Sequence, residues 1–264
     1  MATRSARRWT GTVLVAAGLA AAAGCGLPFM LNAEARDQWK KTYTLAPGGS
    51  FEVHNTNGRI EIRVGDGDTV DVVADRVVRA GSDEDAKGAL KRLEITETVS
   101  PDRVRLDVDT HSLGMQMHVS QHVDFVVRVP KWAAVKLVST NGDIDVADIG
   151  GAFSVETTNG RIKAEGLNNS ASVESTNGAI TLDFAKVGEG GITCETTNGK
   201  IEVIIPRNSK ALLSARVTNG AISTSDLDLS ATEQSRRRIE ASIGGGGPTI
   251  RLETTNGAIE VRGR

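Results

Sequence analysis

Along most of this chain hydrophobic residues fall on every second position, in short runs that break each time at the same tripeptide. The break is Thr-Asn-Gly, with its asparagines at Asn57, Asn141, Asn159, Asn177, Asn198, Asn219 and Asn256. Three residues after each of them stands an isoleucine: Ile60, Ile144, Ile162, Ile180, Ile201, Ile222 and Ile259. Five after come Ile62, Val146, Ala164, Leu182, Val203, Thr224 and Val261, and the apolar slots before the break lie four and six residues back, as Val173 and Ala171 do for Asn177. A period of two marks a strand with one buried face. Each copy therefore predicts a strand, a corner and a second strand, with even offsets pointing inward before Asn and odd offsets after it. Asn and Gly tolerate positive φ, which a sharp change of direction needs.

Two architectures share this chemistry. Asn-Gly between alternating runs is a strong β-hairpin signal. Stacked coils of a β-solenoid, with equivalent residues about 4.8 Å apart in parallel ladders, use the same corner. Successive asparagines are 84, 18, 18, 21, 21 and 37 residues apart. The identical isoleucine in every copy favours the solenoid, because independent hairpins need a turn but not the same residue after it. Asparagines stacked in register can also hydrogen-bond along the ladder. The expected fold class is all-β, a parallel β-solenoid (β-helix) with coils of 18–21 residues, plus an inserted β-rich segment with one short helix.

Charge does not separate the two architectures. Glu156, Glu174 and Glu195, each three residues before its asparagine, would form a like-charge ladder on a solenoid surface, to be offset by bound cations or by nearby Lys and Arg. Hairpins would instead oppose Glu195 with Glu202 and Glu253 with Glu260, which is no better.

The remaining segments read as follows. Residues 1–24 carry Arg4, Arg7 and Arg8, no acid and a short apolar run, the layout of a secretory signal peptide. Ala22-Ala23-Gly24-Cys25 then resembles a bacterial lipobox, which would make Cys25 the acylated first residue of the mature chain; ordinary signal cleavage with an incidental Cys25 is the alternative. Residues 25–41 show no clear period and are expected to be a tether. Residues 42–134 read as an N-terminal β-rich segment with the first repeat and a helix near 82–93, capped by Ser82, as an elaboration covering one end or side of the stack. Residues 135–264 carry the other repeats, and 42–264 reads as one continuous domain. A third side of each coil is expected at Ile149, Leu167, Phe184, Ile205 and Leu227.

Composition narrows the function classes. Loss of the signal removes three arginines and moves the formal net charge from −2 to about −5. A mildly acidic chain is a poor partner for nucleic acid, whose binding is driven by phosphate neutralisation, and the one basic run, Arg236-Arg237-Arg238, has Glu233 and Glu240 nearby. The only two cysteines are Cys25 and Cys194. Cys194 takes an inward slot, so no disulfide, zinc site or thiol nucleophile is implied. His111, His118 and His122 cluster in sequence with Met115 and Met117, but His118 and His122 lie about 13 Å apart on a strand, too far to share a metal. Outward acids form regular rows, and the repeats contain no Trp or Tyr to hold sugar. No catalytic residue, cofactor or metal site is expected.

The lipobox-like Cys25, the opening Gly-Gly-Ser-Phe-Glu-Val-His-Asn-Thr-Asn-Gly-Arg-Ile-Glu-Ile, the mid-chain helix, Glu-Thr-Thr-Asn-Gly-Lys-Ile-Glu-Val and the late Gly-Gly-Gly-Gly-Pro together resemble a bacterial β-strand-repeat lipoprotein family of unknown function, often labelled as candidate adhesins. The resemblance covers roughly residues 42–264. It implies a β-helical envelope protein and supplies no catalytic residues. The expected protein is extracytoplasmic, lipid-anchored to the membrane and non-enzymatic, a structural or adhesin-like module for an envelope protein or glycan. A sensing component of an envelope-stress system is the second possibility, and a glycan-active β-helix enzyme the third.

Overall fold

The computed structural model describes residues 33–109 and 119–264. The expected signal peptide, Cys25, His111, Met115, Met117 and His118 lie outside the described residues.

The chain begins with β1 (Ala33–Thr44), β2 (Ser50–Asn57), β3 (Ile60–Val64) and β4 (Thr69–Ala80), passes through α1 (Asp83–Arg92), and continues with β5 (Glu94–Ser100), β6 (Arg103–Asp109) and β7 (Ser120–Val129). Pairs of strands then follow copy by copy: β8 (Ala134–Asn141) and β9 (Ile144–Ala147), β10 (Phe153–Asn159) and β11 (Ile162–Leu167), β12 (Ala171–Asn177) and β13 (Ile180–Phe184), β14 (Ile192–Asn198) and β15 (Ile201–Ile205). Last come β16 (Ala211–Ser225), the hairpin of β17 (Leu229–Gln234) and β18 (Arg238–Ile243), and β19 (Thr249–Gly263).

Each strand pairs in parallel with its equivalent in the neighbouring copy. Before the corner, Val155 faces Val173 and Asn159 faces Asn177; the next step sets Val173 on Cys194 and Asn177 on Asn198. After it, Ile162, Ile180 and Ile201 form one column. This is the β-solenoid. Its interior is a continuous apolar core that includes all the repeat isoleucines except Ile222, which is half-buried, and the third side closes over it with Ile149, Leu167, Phe184 and Ile205 buried and Leu227 packed against the core.

The corner glycines explain why the copies cannot vary there. Gly160 has φ 137°, and a Cβ built on it would lie 2.1 Å from the carbonyl oxygen of Gly142. The same approach recurs up the stack, Gly178 over Gly160, Gly199 over Gly178 and Gly257 over Gly199. Backbone therefore sits directly on backbone at every corner, and only a residue without a side chain fits.

Stacking order departs from sequence order at both ends. β19 pairs with β14 and β15 on one side and with β16 on the other, so the last copy is inserted between the two that precede it in sequence. At the other end, the interval expected to be an elaboration contains a further coil. β6 lies on β2, with Val104 against Phe51 and Leu106 against Val53; β7 lies on β3, with Phe125 against Ile60 and Val127 against Ile62. This coil has no Thr-Asn-Gly, which hid it from a search keyed on the corner.

Antiparallel strands close the ends. β5 pairs with β6, β4 with β7 and β1 with β4 at one end; β18 pairs with β16 and β17 with β18 at the other. α1 packs on β1 and β4 and buries Ala86, Ala89 and Leu90. Its cap is Ser82, whose hydroxyl accepts from the Asp85 N–H at 3.2 Å, and acids in the first turn with Lys91 and Arg92 in the last complement the helix dipole.

The tether boundary is corrected. Residues 33–41, expected to be part of the tether, belong to β1, which pairs along its whole length with β4. The inward positions of β1 mix two small alanines, Ala33 and Ala35, and the charged Asp37 with Trp39 and Tyr43, and Lys41 is exposed, so its alternation is too weak to see in sequence. Asp37 accepts from Nε and Nη2 of Arg76, at 2.8 and 2.6 Å.

Candidate functional site

The strands that precede the corners form one wall of the solenoid, and their outward positions make three parallel rows. The row next to the corner is threonine throughout. In stacking order it reads Thr56, Thr140, Thr158, Thr176, Thr197, Thr255 and Thr218, all exposed except the half-buried Thr56. Beside it runs the asparagine ladder itself. Each side-chain amide donates to the carbonyl oxygen of the asparagine below: Asn141 to Asn57, Asn159 to Asn141, Asn177 to Asn159 at 2.9 Å, Asn198 to Asn177, Asn256 to Asn198 and Asn219 to Asn256, the others all at 2.8 Å. The seven predicted corners are thus brought into one line, in an order the sequence spacing did not reveal.

The carboxylate row is longer than expected. Glu156 pairs in register with Glu174 and Glu174 with Glu195, as predicted, and Glu195 then faces Glu253 of the inserted last copy. Cations, supplied by the protein, offset the repulsion. Lys136 Nζ lies 3.6 Å from Glu156, and the Arg251 guanidinium lies 3.6 Å from Glu195 and 2.8 Å from Glu253. Arg216 stands next in the row beyond Glu253. A shallow groove lined by Glu174, Glu195, Glu253, Arg216 and the neighbouring threonines follows this stretch of wall. Among the described residues no three or more His, Cys, Asp or Glu side chains are gathered as a metal site.

At the opposite end of the same wall the rows change character. Glu52, buried, receives His54 Nε2 at 2.6 Å and the guanidinium of Arg103, while Arg105 holds Asp107 at 2.7 Å and His54 Nδ1 lies 3.4 Å from Asp107. Burial pushes the Glu52 carboxyl up, but the hydrogen bonds from Arg103 and His54 outweigh it and hold the group below the usual carboxylate range. Hydrogen bonding to Arg105 likewise lowers Asp107. Sequence reasoning missed this cluster because Arg103, Arg105 and Asp107 belong to the disguised coil. The signal was present in Arg103-Val104-Arg105-Leu106-Asp107, which alternates in step with Glu52-Val53-His54.

Two inward features complete the site. The residue two before each asparagine is buried and polar in six of the seven copies, Asn55, Ser139, Thr157, Ser175, Thr196 and Thr254. Thr254 shows one use of the position, donating to the Gly199 carbonyl at 3.2 Å, and Asn55 donates to Val123 and Gly58. Cys194 is a free, buried thiol between Val173 and Leu252, and burial pushes its pKa up, so it stays protonated and unreactive. His122 is exposed and sits 2.9 Å from Asp124.

No curated protein matches this chain. Among solved structures it is similar to a cell-adhesion candidate from Clostridium sporogenes, 11% identical with a TM-score of 0.42 over 86% of this chain and 100% of that one. It is also similar to an adhesin candidate from Bacteroides fragilis, 9% identical with a TM-score of 0.35 over 86% of this chain and 97% of that one. A third, an adhesin candidate from Parabacteroides distasonis, is 10% identical with a TM-score of 0.26 over 85% and 97% of the two chains. Residues 118–262 match the Toastrack DUF4097 family model, and the chain belongs to that family.

Proposed function

We propose that this protein is a non-enzymatic interaction module of the bacterial cell envelope, displayed outside the cytoplasm and tethered by lipid on Cys25. The observation that carries the proposal is the repetition of the wall. Threonine, asparagine and carboxylate recur rung after rung at the spacing of the coils, on backbone bonded to the coil above and below. Such a surface offers many equal, weak contacts along a line, which suits a repetitive or extended partner, a glycan or an elongated envelope protein. An active site does the opposite and concentrates unlike groups at one point.

The test is co-sedimentation of the Cys25→Ser protein, which carries no lipid to hold it in a membrane, with an excess of isolated, delipidated envelope material. Lysine in place of Thr158, Thr176 and Thr197 on the wall releases the protein, and Thr181→Lys on the other wall does not. Equal binding by both variants would mean that the pre-corner wall is not the contact. For the anchor, Cys25→Ser moves folded protein into the soluble extracytoplasmic fraction, because stable attachment then lacks its acyl chains. A native mature mass without lipid would contradict the anchor and leave the wall proposal standing.

A further inference from the structure

The two walls are closed differently at the β16 end. On the pre-corner wall, β18 covers Ala211–Arg216. On the post-corner wall, residues 221–225 of β16 pair with β19 on one side and with no strand on the other among the described residues. A single bond reaches them there, from the Ile222 N–H to the Arg236 carbonyl at 3.0 Å. Within the stack the same bond runs from Ile60 to Asp143, Ile144 to Arg161, Ile162 to Ala179 and Ile180 to Lys200. Arg236 therefore stands where a next coil would begin its second strand, but the chain turns from it into β18 on the pre-corner wall, and no strand among the described residues lies along residues 223–225. By the alternation of a parallel ladder, the Ile222 carbonyl and the N–H and carbonyl of Thr224 face the open side. The side chains tell the same story: Ile222 and Thr224 are half-buried, while their neighbours Ile259 and Val261 are fully buried.

An open strand edge is a pairing template, and proteins blunt such edges with charge or proline. The other outermost strands are blunted in this way, β1 by Glu34, Arg36 and Lys40, β5 by Glu94 and Glu97, β17 by Glu233. Ala221-Ile222-Ser223-Thr224-Ser225 carries no charge and no proline. Beside it lies unbalanced positive charge. Arg238 is paired with Glu233 and Glu240, at 3.2 and 3.4 Å, whereas exposed Arg236 and Arg237 form no ion pair among the described residues.

We infer that the open edge of β16 is a docking site for an extended acidic segment of a partner protein, which adds as the next parallel or antiparallel strand. Its backbone pairs with Ile222 and Thr224, its apolar side chains cover Ile222 and Leu227, and its carboxylates meet Arg236 and Arg237. The site lies at the end of the solenoid, off the threonine wall.

The probe is a fluorescent peptide of alternating valine and glutamate, with a second in which lysine replaces every glutamate. Anisotropy shows the glutamate peptide binding and the lysine peptide not. Arg236→Glu with Arg237→Glu weakens binding about tenfold or more, and Thr224→Pro, which removes an edge donor, does so by a similar factor. Proline also constrains the backbone of β16 itself, so amide exchange is read on the unmutated protein, where the glutamate peptide slows exchange at Thr224. Equal binding of both peptides, no binding, or unchanged exchange at Thr224 overturns the inference. So does a dimer in sedimentation that Thr224→Pro dissociates, since the edge would then belong to a second copy.

Discussion

Ile180→Ala is the substitution whose effect follows most directly from stacking. Ile180 is 1% exposed and sits in register between Ile162 and Ile201. The change removes three methyl or methylene groups, about 2.4 kcal/mol of lost transfer free energy at about 0.8 kcal/mol each. A cavity term adds to this, because the coils above and below are held at fixed spacing by ladder bonds and cannot close the gap, which places the expected loss at about 3–5 kcal/mol. Urea melts measure it, with Lys163→Ala as the control; that side chain is 45% exposed and its ion pair is with Glu165, so its loss is about 0–1 kcal/mol. Ile162→Ala enlarges the same cavity from the next coil, and the double variant departs from additivity by about 0.5 kcal/mol or more. A loss below about 1 kcal/mol for Ile180→Ala, or strictly additive losses, would refute the shared column.

Other substitutions test other layers. Gly160→Ala, whose Cβ meets the Gly142 carbonyl at 2.1 Å, abolishes folding or lowers stability by more than about 3 kcal/mol, while Gly67→Ala, at φ 77° with open space around it, costs about 1 kcal/mol by the same melts. Arg251→Ala leaves Glu195 and Glu253 without their guanidinium and lowers stability by about 0.5–1 kcal/mol in low salt, a difference that shrinks as salt is added. The Glu52 carboxyl is lowered in the folded chain, so its contribution is complete above the unfolded value near about 4.3 and is lost as pH falls through the folded value. Melting temperature therefore falls below about pH 4 in the native protein, and Glu52→Gln flattens that acid limb.

What sequence revealed and what it hid follow from one cause. Corners that stack glycine on glycine tolerate no other residue, so Thr-Asn-Gly is copied intact and the strands, the inward isoleucines and the asparagine ladder are all legible from it. Glu156, Glu174 and Glu195 were placed on one row by the same offset. The coil of β6 and β7 has no such corner, and with it the partners of Glu52 and His54 were lost. Order along the stack was also invisible, because β19 carries the same repeat as its neighbours and nothing local says which two it lies between. That is why Glu253 was missed as the fourth carboxylate of the row and Arg251 as the cation beside it. β1 was lost to its small and charged residues, Ala33, Ala35 and Asp37, the last held by a pairing with Arg76 where alternation alone would forbid a charge.

The seven corners form a single column, with the copy of Asn256 inserted before that of Asn219. In-register neighbours on a parallel ladder are about 4.8 Å apart, and next neighbours twice that. Thr197, Thr255 and Thr218 are exposed and lie in successive coils. Cysteine pairs at these positions, bridged by a short methanethiosulfonate reagent and read by intact mass, measure the order. The structure predicts rapid bridging for Thr197→Cys with Thr255→Cys and for Thr255→Cys with Thr218→Cys, and little for Thr197→Cys with Thr218→Cys. Preferential bridging of Thr197→Cys with Thr218→Cys would show the copies stacked in sequence order and contradict the column as described.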